Sequence, residues 1–256
     1  MSQDTTAPKQ GACYVISLRP VGGHAPMRRA AASHGARVLA LSPWRIDVRD
    51  DAHTRAALAT ALDADVVLFT SPAAVRAAAA LQRLRAGTGQ AWLAVGAGTA
   101  AALRRAGVGQ VAAPARMDSE GLLSLPALAQ VSGRSVGMVT APGGRGLIAP
   151  TLAARGAQVL RAEVYERVAV ALSAQALARL RALQGPLCLA LSSGEALQRI
   201  LDALPADLLP RLQGARVLAA SERLAQLARA AGFGDVRVAA DARPASLLAA
   251  AAADRA

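Results

Sequence analysis

A chain of 256 residues and 26.0 kDa is long enough for one large domain or two small ones. Its hydrophobic fraction of 54% excludes a disordered chain, and an aromatic fraction of 2% argues against a protein that stacks nucleobases. The net charge of +12 fits a nucleic-acid-binding protein or an enzyme with a strongly acidic ligand. Arginine enrichment from a GC-rich genome explains the charge equally well. The arginines are scattered singly or in pairs, which favours the acidic ligand over nucleic acid.

No apolar run approaches the roughly 20 residues that cross a bilayer, and the polar N-terminal segment lacks the apolar core of a secretory signal. We therefore expect a cytoplasmic protein without membrane contact. Cys13 and Cys188 lie in strand-like apolar segments and are expected to be buried thiols. His24, His34 and His53 do not have the spacing of metal ligands, so no metal site is predicted.

Short apolar segments alternate with longer segments of helical spacing along the chain. In the first half the predicted elements are, in chain order, a strand at 14–18, a helix at 25–34, a strand at 38–41, a helix at 54–62, a strand at 66–69, a helix at 72–84, a strand at 92–95, a helix at 99–106, a strand at 111–113 and a helix at 119–128. The strands of the second half are 136–139, 159–160, 187–191, 216–219 and 236–239. Apolar strands that alternate with helices form parallel sheets covered on both faces, so we predict two doubly wound α/β domains of about five strands each.

The second half of the sequence repeats the first at an offset that grows slowly, as small loop insertions would produce. The matched pairs include Gly35 with Gly156 at 121 residues, Ser71 with Ser193 at 122 and Gly107 with Gly232 at 125. This order of glycines predicts an internal duplication. Gly35 and Gly107 are further predicted to end two helices in the left-handed conformation.

Open parallel sheets bind ligands beyond the carboxyl ends of their strands, and small polar residues, glycine and arginine follow the predicted strands there. The segments beyond those ends are 19–20, 70–71, 96–99, 117–121, 140–145, 192–194 and 220–221. The candidate ligand-binding residues within them are Arg19, Ser71, Gly96, Thr99, Ser119, Gly143, Gly144, Arg145, Ser193 and Ser221. Backbone amides at helix starts and guanidinium groups bind anions, so these residues suit a large polyanion. Helix N-capping explains the serines equally well, and a solvated side chain is the alternative for each arginine.

The predicted site carries few groups for acid–base or nucleophilic chemistry. Gly96 and Gly98 lack the third glycine of a dinucleotide fingerprint, and no segment matches a P-loop. Ser71 and Ser193 lack the flanking glycines of a nucleophile elbow. The residues therefore indicate a site that holds its ligand in position, with little side-chain acid–base apparatus.

The order and spacing of several short motifs resemble the uroporphyrinogen-III synthase family from about residue 14 to residue 250. These motifs are Leu18-Arg19-Pro20, Phe69-Thr70-Ser71-Pro72, Gly96-Ala97-Gly98-Thr99, Ser119-Glu120-Gly121-Leu122, Gly143-Gly144-Arg145, Val164-Tyr165, Leu191-Ser192-Ser193 and Ser221-Glu222-Arg223. The resemblance implies two similar doubly wound parallel-sheet domains joined by a two-stranded linker, with the active site in the cleft between them. One domain would comprise 1–42 plus 168–256 and the other 47–162, with crossings at 43–46 and 163–167.

The reaction that this resemblance implies is the cyclisation and dehydration of hydroxymethylbilane, a linear tetrapyrrole rich in carboxylates, with inversion of its last pyrrole ring to give uroporphyrinogen III. The protein would then be a lyase of tetrapyrrole and heme biosynthesis that needs no cofactor. It would be a monomer in transient contact with hydroxymethylbilane synthase. Tyr165 matches the family tyrosine that is the favoured candidate for helping the hydroxyl leave as water. A linker tyrosine that only packs at the domain crossing is the alternative.

Four residues at three sites depart from the family pattern and leave the local details of binding open. Ala73 stands where the family often has Asn, Ala141-Pro142 replaces an Arg-Gly pair, and Glu166 occupies a position where Arg is usual. The main alternative function is a two-lobed anion- or tetrapyrrole-binding protein without catalysis. A nucleic-acid-binding protein is disfavoured by the few aromatic residues and by the lack of a helix-turn-helix signature.

Overall fold

The structure, a computed structural model, describes residues 13–116, 119–143 and 146–251. Contacts within the chain define two compact units. The split unit is made of the residues up to Arg45 together with those from Ala169, and the middle unit is Ile46–Val168. The chain passes from one unit to the other twice, between Arg45 and Ile46 and between Val168 and Ala169.

Both units are built from alternating strands and helices. The strands are β1 Tyr14–Ser17, β2 Arg37–Ala40, β3 Trp44–Val48, β4 Val66–Phe69, β5 Ala91–Ala94, β6 Ser135–Thr140, β7 Gln158–Glu163, β8 Tyr165–Ala169, β9 Leu187–Leu191, β10 Arg216–Ala219 and β11 Val236–Val238. The α-helices are α1 Ala25–Ala32, α2 Ala52–Leu62, α3 Pro72–Leu81, α4 Ala97–Arg105, α5 Ser119–Leu123, α6 Pro126–Ala129, α7 Ile148–Ala154, α8 Ala174–Ala182, α9 Gly194–Ala203, α10 Leu209–Gln213, α11 Glu222–Ala230 and α12 Pro244–Ala249. A 3-10 helix covers Ala206–Leu208.

The strand order is equivalent in the two larger sheets. The split unit has the order β11-β10-β9-β1-β2, and the middle unit has the order β5-β4-β6-β7. The strand pairs within both sheets are parallel. Each sheet contains strands from both sequence repeats. β3 and β8, in which the chain changes units, pair in a separate two-stranded sheet. The predicted fold class, two doubly wound parallel-sheet domains with a two-stranded linker, is confirmed.

The glycines that pair the two sequence repeats occupy the same helix-ending motif. Gly35, Gly107, Gly156 and Gly232 have φ of 66°, 94°, 81° and 87°. After each of them, the next amide donates to the carbonyl five residues back at 2.9–3.1 Å. This is the Schellman arrangement, in which glycine is favoured because a Cβ is strained at positive φ. The predicted left-handed ends at Gly35 and Gly107 are therefore confirmed.

Two predicted elements are wrong in detail, and proline is the physical reason in both. The segment 111–113 forms only an isolated bridge between Ala112 and Leu93, since Pro114 has no amide hydrogen to extend the ladder. The helix predicted over 119–128 is divided into α5 and α6. Pro126 disfavours the helical conformation at Leu125, which is extended with φ −65° and ψ 139°.

The middle unit shows how apolar strands bury both faces of a sheet. Val67 and Phe69 of β4 face one hydrophobic cluster, and Val66 and Leu68 face the other. Phe69 stacks on Trp92 with 5.7 Å between ring centroids. A large buried side chain of this kind contributes about 1.5–3 kcal/mol relative to an exposed one. The sheet of the middle unit is therefore packed on both faces, and the candidate site residues lie at its carboxyl edge.

The two cysteines belong to the split unit. Cys188 is buried, whereas Cys13 is partly exposed, so the expectation of two fully buried thiols holds only for Cys188. Burial and the neighbouring Cys13 thiol raise the pKa of Cys188 to about 12, which keeps it protonated at neutral pH. Within the described residues, no helix has the length and apolar character needed to cross a membrane.

Candidate active site

Two of the predicted site residues meet at the carboxyl edge of the middle unit's sheet. Ser71 directly precedes α3, and its Oγ accepts a hydrogen bond from the amide of Ala74 at 3.0 Å. The same Oγ lies 3.1 Å from the phenol oxygen of Tyr165, the first residue of β8. Tyr165 is 3% exposed and packs in a hydrophobic cluster, while Ser71 is half-buried. The buried phenol therefore reaches the sheet edge through the serine hydroxyl.

Two threonine hydroxyls extend this polar edge to the neighbouring strand. Thr70 follows β4, Thr140 ends β6, and the Oγ1 of Thr70 donates to that of Thr140 at 2.8 Å. The amide of Thr70 also donates to the carbonyl of Val139 at 3.2 Å. Both threonines lie in segments that follow predicted strands, but sequence reasoning did not select them. The feature of the sequence that could have identified them is a threonine at the end of each of two apolar strands.

A group of charged side chains that sequence reasoning missed lies at the end of β7. Glu163 contacts two arginines, Arg161 at 2.7 Å and Arg49 at 3.3 Å. Arg161 also donates to the carbonyl of Ala141, directly after β6, at 3.4 Å. All three side chains are 30–41% exposed, so the cluster presents two guanidinium groups and one carboxylate at the surface. The available signal was an arginine directly after the predicted strand 159–160, which sequence reasoning did not include among its candidates; the observed strand continues to Glu163.

The other predicted residues of the middle unit lie at the same ends of strands or at helix starts. Gly96 precedes α4, and its carbonyl accepts the amides of Thr99 and Ala100, both at 3.0 Å. Thr99 is only 4% exposed, and Gly143 has φ of 80° in the segment after β6. Ser119 is the first residue of α5. Gly144, Arg145 and the side chain of Ser119 lie outside the described residues.

The predicted serines of the split unit are helix N-caps. Ser193 accepts from the amide of Ala196 at 3.2 Å, and Ser221 accepts from the amide of Leu224 at 3.4 Å. The capping interpretation thus describes the geometry of Ser71, Ser193 and Ser221 alike. An N-cap and an anion site use the same helix end, so capping is compatible with ligand binding.

Arg19 follows β1 in the split unit. Its Nε is buried and makes no hydrogen bond within the described residues. Burial lowers the pKa of its guanidinium, because the charged form loses hydration. A buried donor without a partner is costly, and a carboxylate oxygen would satisfy it.

The loop that carries Arg19 is held by a buried histidine. His24 is 3% exposed, and its two ring nitrogens lie 3.0 Å from the Oγ of Ser17 and 2.8 Å from the Oγ of Ser42. Burial, followed by the positive charges of Arg28 and Arg19, lowers the pKa of His24 to about 4. The imidazole is therefore neutral at neutral pH and joins the ends of β1 and β2.

We expect this histidine to make the split unit sensitive to acid. Between pH 6.5 and 4 the unfolded chain binds a proton at His24 that the folded chain does not, so stability falls as pH falls. The loss is expected to reach about 2.5 kcal/mol at pH 4.5. Urea unfolding monitored by Trp44 fluorescence in a Trp92→Phe background, at pH 7 and pH 4.5, measures it.

The contribution of His24 is isolated by comparison with His24→Asn, which lacks the titrating group. This variant is expected to lose less stability than the wild type between the two pH values. His34→Asn, at an exposed residue of the same unit, is the matched control for replacing a histidine. An equal pH dependence in the wild type and His24→Asn would contradict the assignment.

The fold and these residues define an α/β protein of two doubly wound units with hydroxyl, amide and guanidinium groups at the carboxyl ends of its strands. A family model described as uroporphyrinogen-III synthase HemD matches residues 25–249. The chain is 37% identical over 200 residues to the uroporphyrinogen-III synthase of Salmonella typhimurium, covering 75% of this chain and 80% of that protein. It is 36% identical over 159 residues to the uroporphyrinogen-III synthase of Escherichia coli K12, covering 61% and 65%.

Solved structures agree in fold. A mutant uroporphyrinogen III synthase from Thermus thermophilus matches with a TM-score of 0.57 at 20% identity, over 93% of this chain and 96% of that one. The enzyme from Helicobacter pylori 26695 matches with a TM-score of 0.55 at 12% identity, over 94% and 99%. The family model over residues 25–249 and the relative from Salmonella typhimurium show that the chain belongs to the uroporphyrinogen-III synthase family. The predicted family and the predicted enzyme class, a lyase of tetrapyrrole biosynthesis, are confirmed, and the non-catalytic alternative is not favoured.

Proposed function

We propose that this protein cyclises and dehydrates hydroxymethylbilane with inversion of the last pyrrole ring, so that the product is uroporphyrinogen III. The observation that carries this proposal is the family match over residues 25–249. The contact between Tyr165 and Ser71 supports it, because the residue expected to help the hydroxyl leave is joined to a residue expected to bind substrate.

The substrate carries many carboxylates, and the predicted binding residues offer the donors to hold them. The unpaired Nε of Arg19 is a donor for one carboxylate in the split unit. In the middle unit Arg161 places a guanidinium 3.4 Å from the carbonyl of Ala141, where the family pattern has an arginine. Because Ala141 replaces that arginine, a positive charge is lost there, and we assign Arg161 the role of supplying it. The remaining carboxylates are assigned to the other predicted residues, namely Ser71, Gly96, Thr99, Ser119, Gly143, Gly144, Arg145, Ser193 and Ser221.

In this proposal the protein acts mainly by holding the substrate so that the ring closes at the substituted carbon. Tyr165 is the source of the proton or hydrogen bond that helps the hydroxyl leave as water. No metal or organic cofactor takes part. We further propose a cytoplasmic monomer that receives its unstable substrate in transient contact with hydroxymethylbilane synthase.

A coupled assay tests the reaction. Hydroxymethylbilane is generated in place, the protein is added at several concentrations, and the oxidised products are separated into type I and type III isomers. We expect the type III fraction to rise with protein concentration, since spontaneous closure gives type I without inversion. Only type I at every concentration, together with saturable binding of unchanged hydroxymethylbilane, would support the binding protein instead.

A further inference from the structure

The buried position of Tyr165 raises the question of how its proton reaches a substrate. The side chain is 3% exposed, and Ser71 is the hydrogen-bond partner of its hydroxyl within the described residues. Ser71 is half-buried and lies at the carboxyl edge of the sheet. In this arrangement the hydroxyl that faces a ligand is that of the serine.

The hydrogen bonds that the Ser71 hydroxyl accepts determine where it can donate its own proton. A serine hydroxyl has one donor and two acceptor lone pairs. One lone pair of Ser71 accepts the amide of Ala74 at 3.0 Å. When Tyr165 donates across the 3.1 Å contact, the second lone pair is also used. The Oγ–H of Ser71 is then left to donate outward, to a group of the ligand.

We propose that Ser71 is the catalytic proton donor to the leaving hydroxyl, and that Tyr165 acts through it as a positioning residue. The assignment rests on the proposed function and deepens it. The Oγ–H proton of Ser71 passes to the hydroxyl oxygen of the substrate, the carbon–oxygen bond breaks, and its electron pair leaves with water. The Tyr165 proton passes to Ser71 Oγ. This leaves Tyr165 as a phenolate. The proton that the pyrrole carbon releases after the new carbon–carbon bond has formed passes back through Ser71 to this phenolate, so no co-reactant is needed.

The first test removes the serine hydroxyl while changing the helix cap little. Glycine is tolerated at an N-cap almost as well as serine, so Ser71→Gly is expected to fold. We expect its kcat for type III product to fall about 100-fold, with a much smaller change in KM. Ser71→Thr keeps both the hydroxyl and the cap and is expected to recover most of the activity.

Ser173→Gly is the matched control for the cap. Ser173 caps α8 by accepting the amide of Ala176 at 3.2 Å, and it is exposed. We expect its kcat to stay within about twofold of the wild type. Its loss in urea midpoint is expected to be smaller than that of Ser71→Gly, which also leaves the buried Tyr165 hydroxyl without its partner. If kcat falls in both variants in proportion to their loss of stability, Ser71 acts only as a helix cap. This result would overturn the proposal.

A double-mutant cycle with Tyr165→Phe tests whether the two hydroxyls act as one unit. Residues that act as a unit lose activity together, so the double variant is expected to lose about 100-fold, as each single variant does. Losses that multiply to about 10⁴-fold would show independent roles and overturn the assignment. If the wild type yields no type III isomer, the proposed function itself fails. If the wild type is active and Ser71→Gly retains its kcat, only the assignment of Ser71 fails.

Discussion

Tyr165→Phe is expected to lower kcat for the type III isomer by about 100-fold, the lower end of what a positioned proton donor contributes. The substitution removes only the phenol oxygen that lies 3.1 Å from Ser71 Oγ. The ring remains in its hydrophobic cluster, so packing is preserved. Loss of one hydrogen bond is expected to cost about 1 kcal/mol in stability, which leaves the protein folded at assay temperature.

Tyr14→Phe provides the matched control, because Tyr14 is the other tyrosine of the chain. It is the first residue of β1 in the split unit and takes no part in the proposed site. We expect its turnover to equal that of the wild type. Turnover of Tyr165→Phe within about twofold of the wild type would remove Tyr165 from the proton path and leave it a packing role at the start of β8.

The largest expected effect on stability comes from Gly137 in β6. A Cβ at this position would overlap the carbonyl oxygen of Ala61 in α2 and lie 2.6 Å from its carbonyl carbon. The obstacle is backbone, which has no rotamer to adopt, so the helix and the sheet must separate. We expect Gly137→Ala to destabilise the middle unit by about 3 kcal/mol, the upper range for overpacking a core.

The measurement is urea unfolding followed by the fluorescence of Trp92, which belongs to the middle unit, in a Trp44→Phe background. A reporter confined to one unit is needed because two-domain chains do not always unfold in one step. Gly109→Ala in the same unit is the control, since its Cβ would meet no atom within 4 Å. Equal urea midpoints for Gly137→Ala and Gly109→Ala would contradict the close contact between α2 and β6.

The sheet of the middle unit carries both Gly137 and the polar carboxyl edge of the candidate site. Gly137 lets α2 lie directly on β6, and β6 in turn places Thr140 beside Thr70 at the carboxyl edge. A sheet that separates from its helix would also displace this edge. We therefore expect Gly137→Ala to reduce type III formation in proportion to its unfolded fraction, as a secondary result of its instability.

Local rules of the sequence predicted much of the fold. Fully apolar strands bounded by turns indicated parallel sheets, and β4 and β9 begin and end where the sequence placed them. Glycines at matched positions predicted the duplication because a left-handed helix end favours glycine regardless of its surroundings. Pro114 and Pro126 interrupt segments whose apolar pattern alone predicts a strand at 111–113 and a helix at 119–128.

The candidate site was only partly predictable. Ser71 and Tyr165 were identified separately, by strand-end position and by resemblance, and nothing in their spacing of 94 residues indicated contact. Arg49, Arg161 and Glu163 were missed because no local pattern shows whether a charged side chain beside a strand faces solvent or another charged side chain.

The sequence by itself determined the elements, the duplicated plan and the family, since each depends on short-range patterns of apolar residues, glycine and turn residues. Only the tertiary structure decided which strands share a sheet and which polar side chains meet. The exchange of strands between repeats depends on the paths of β3 and β8, and the pairing of Ser71 with Tyr165 depends on β8 beginning beside the start of α3. Contacts between residues distant in the chain arise from the packing of whole elements, which no local pattern encodes.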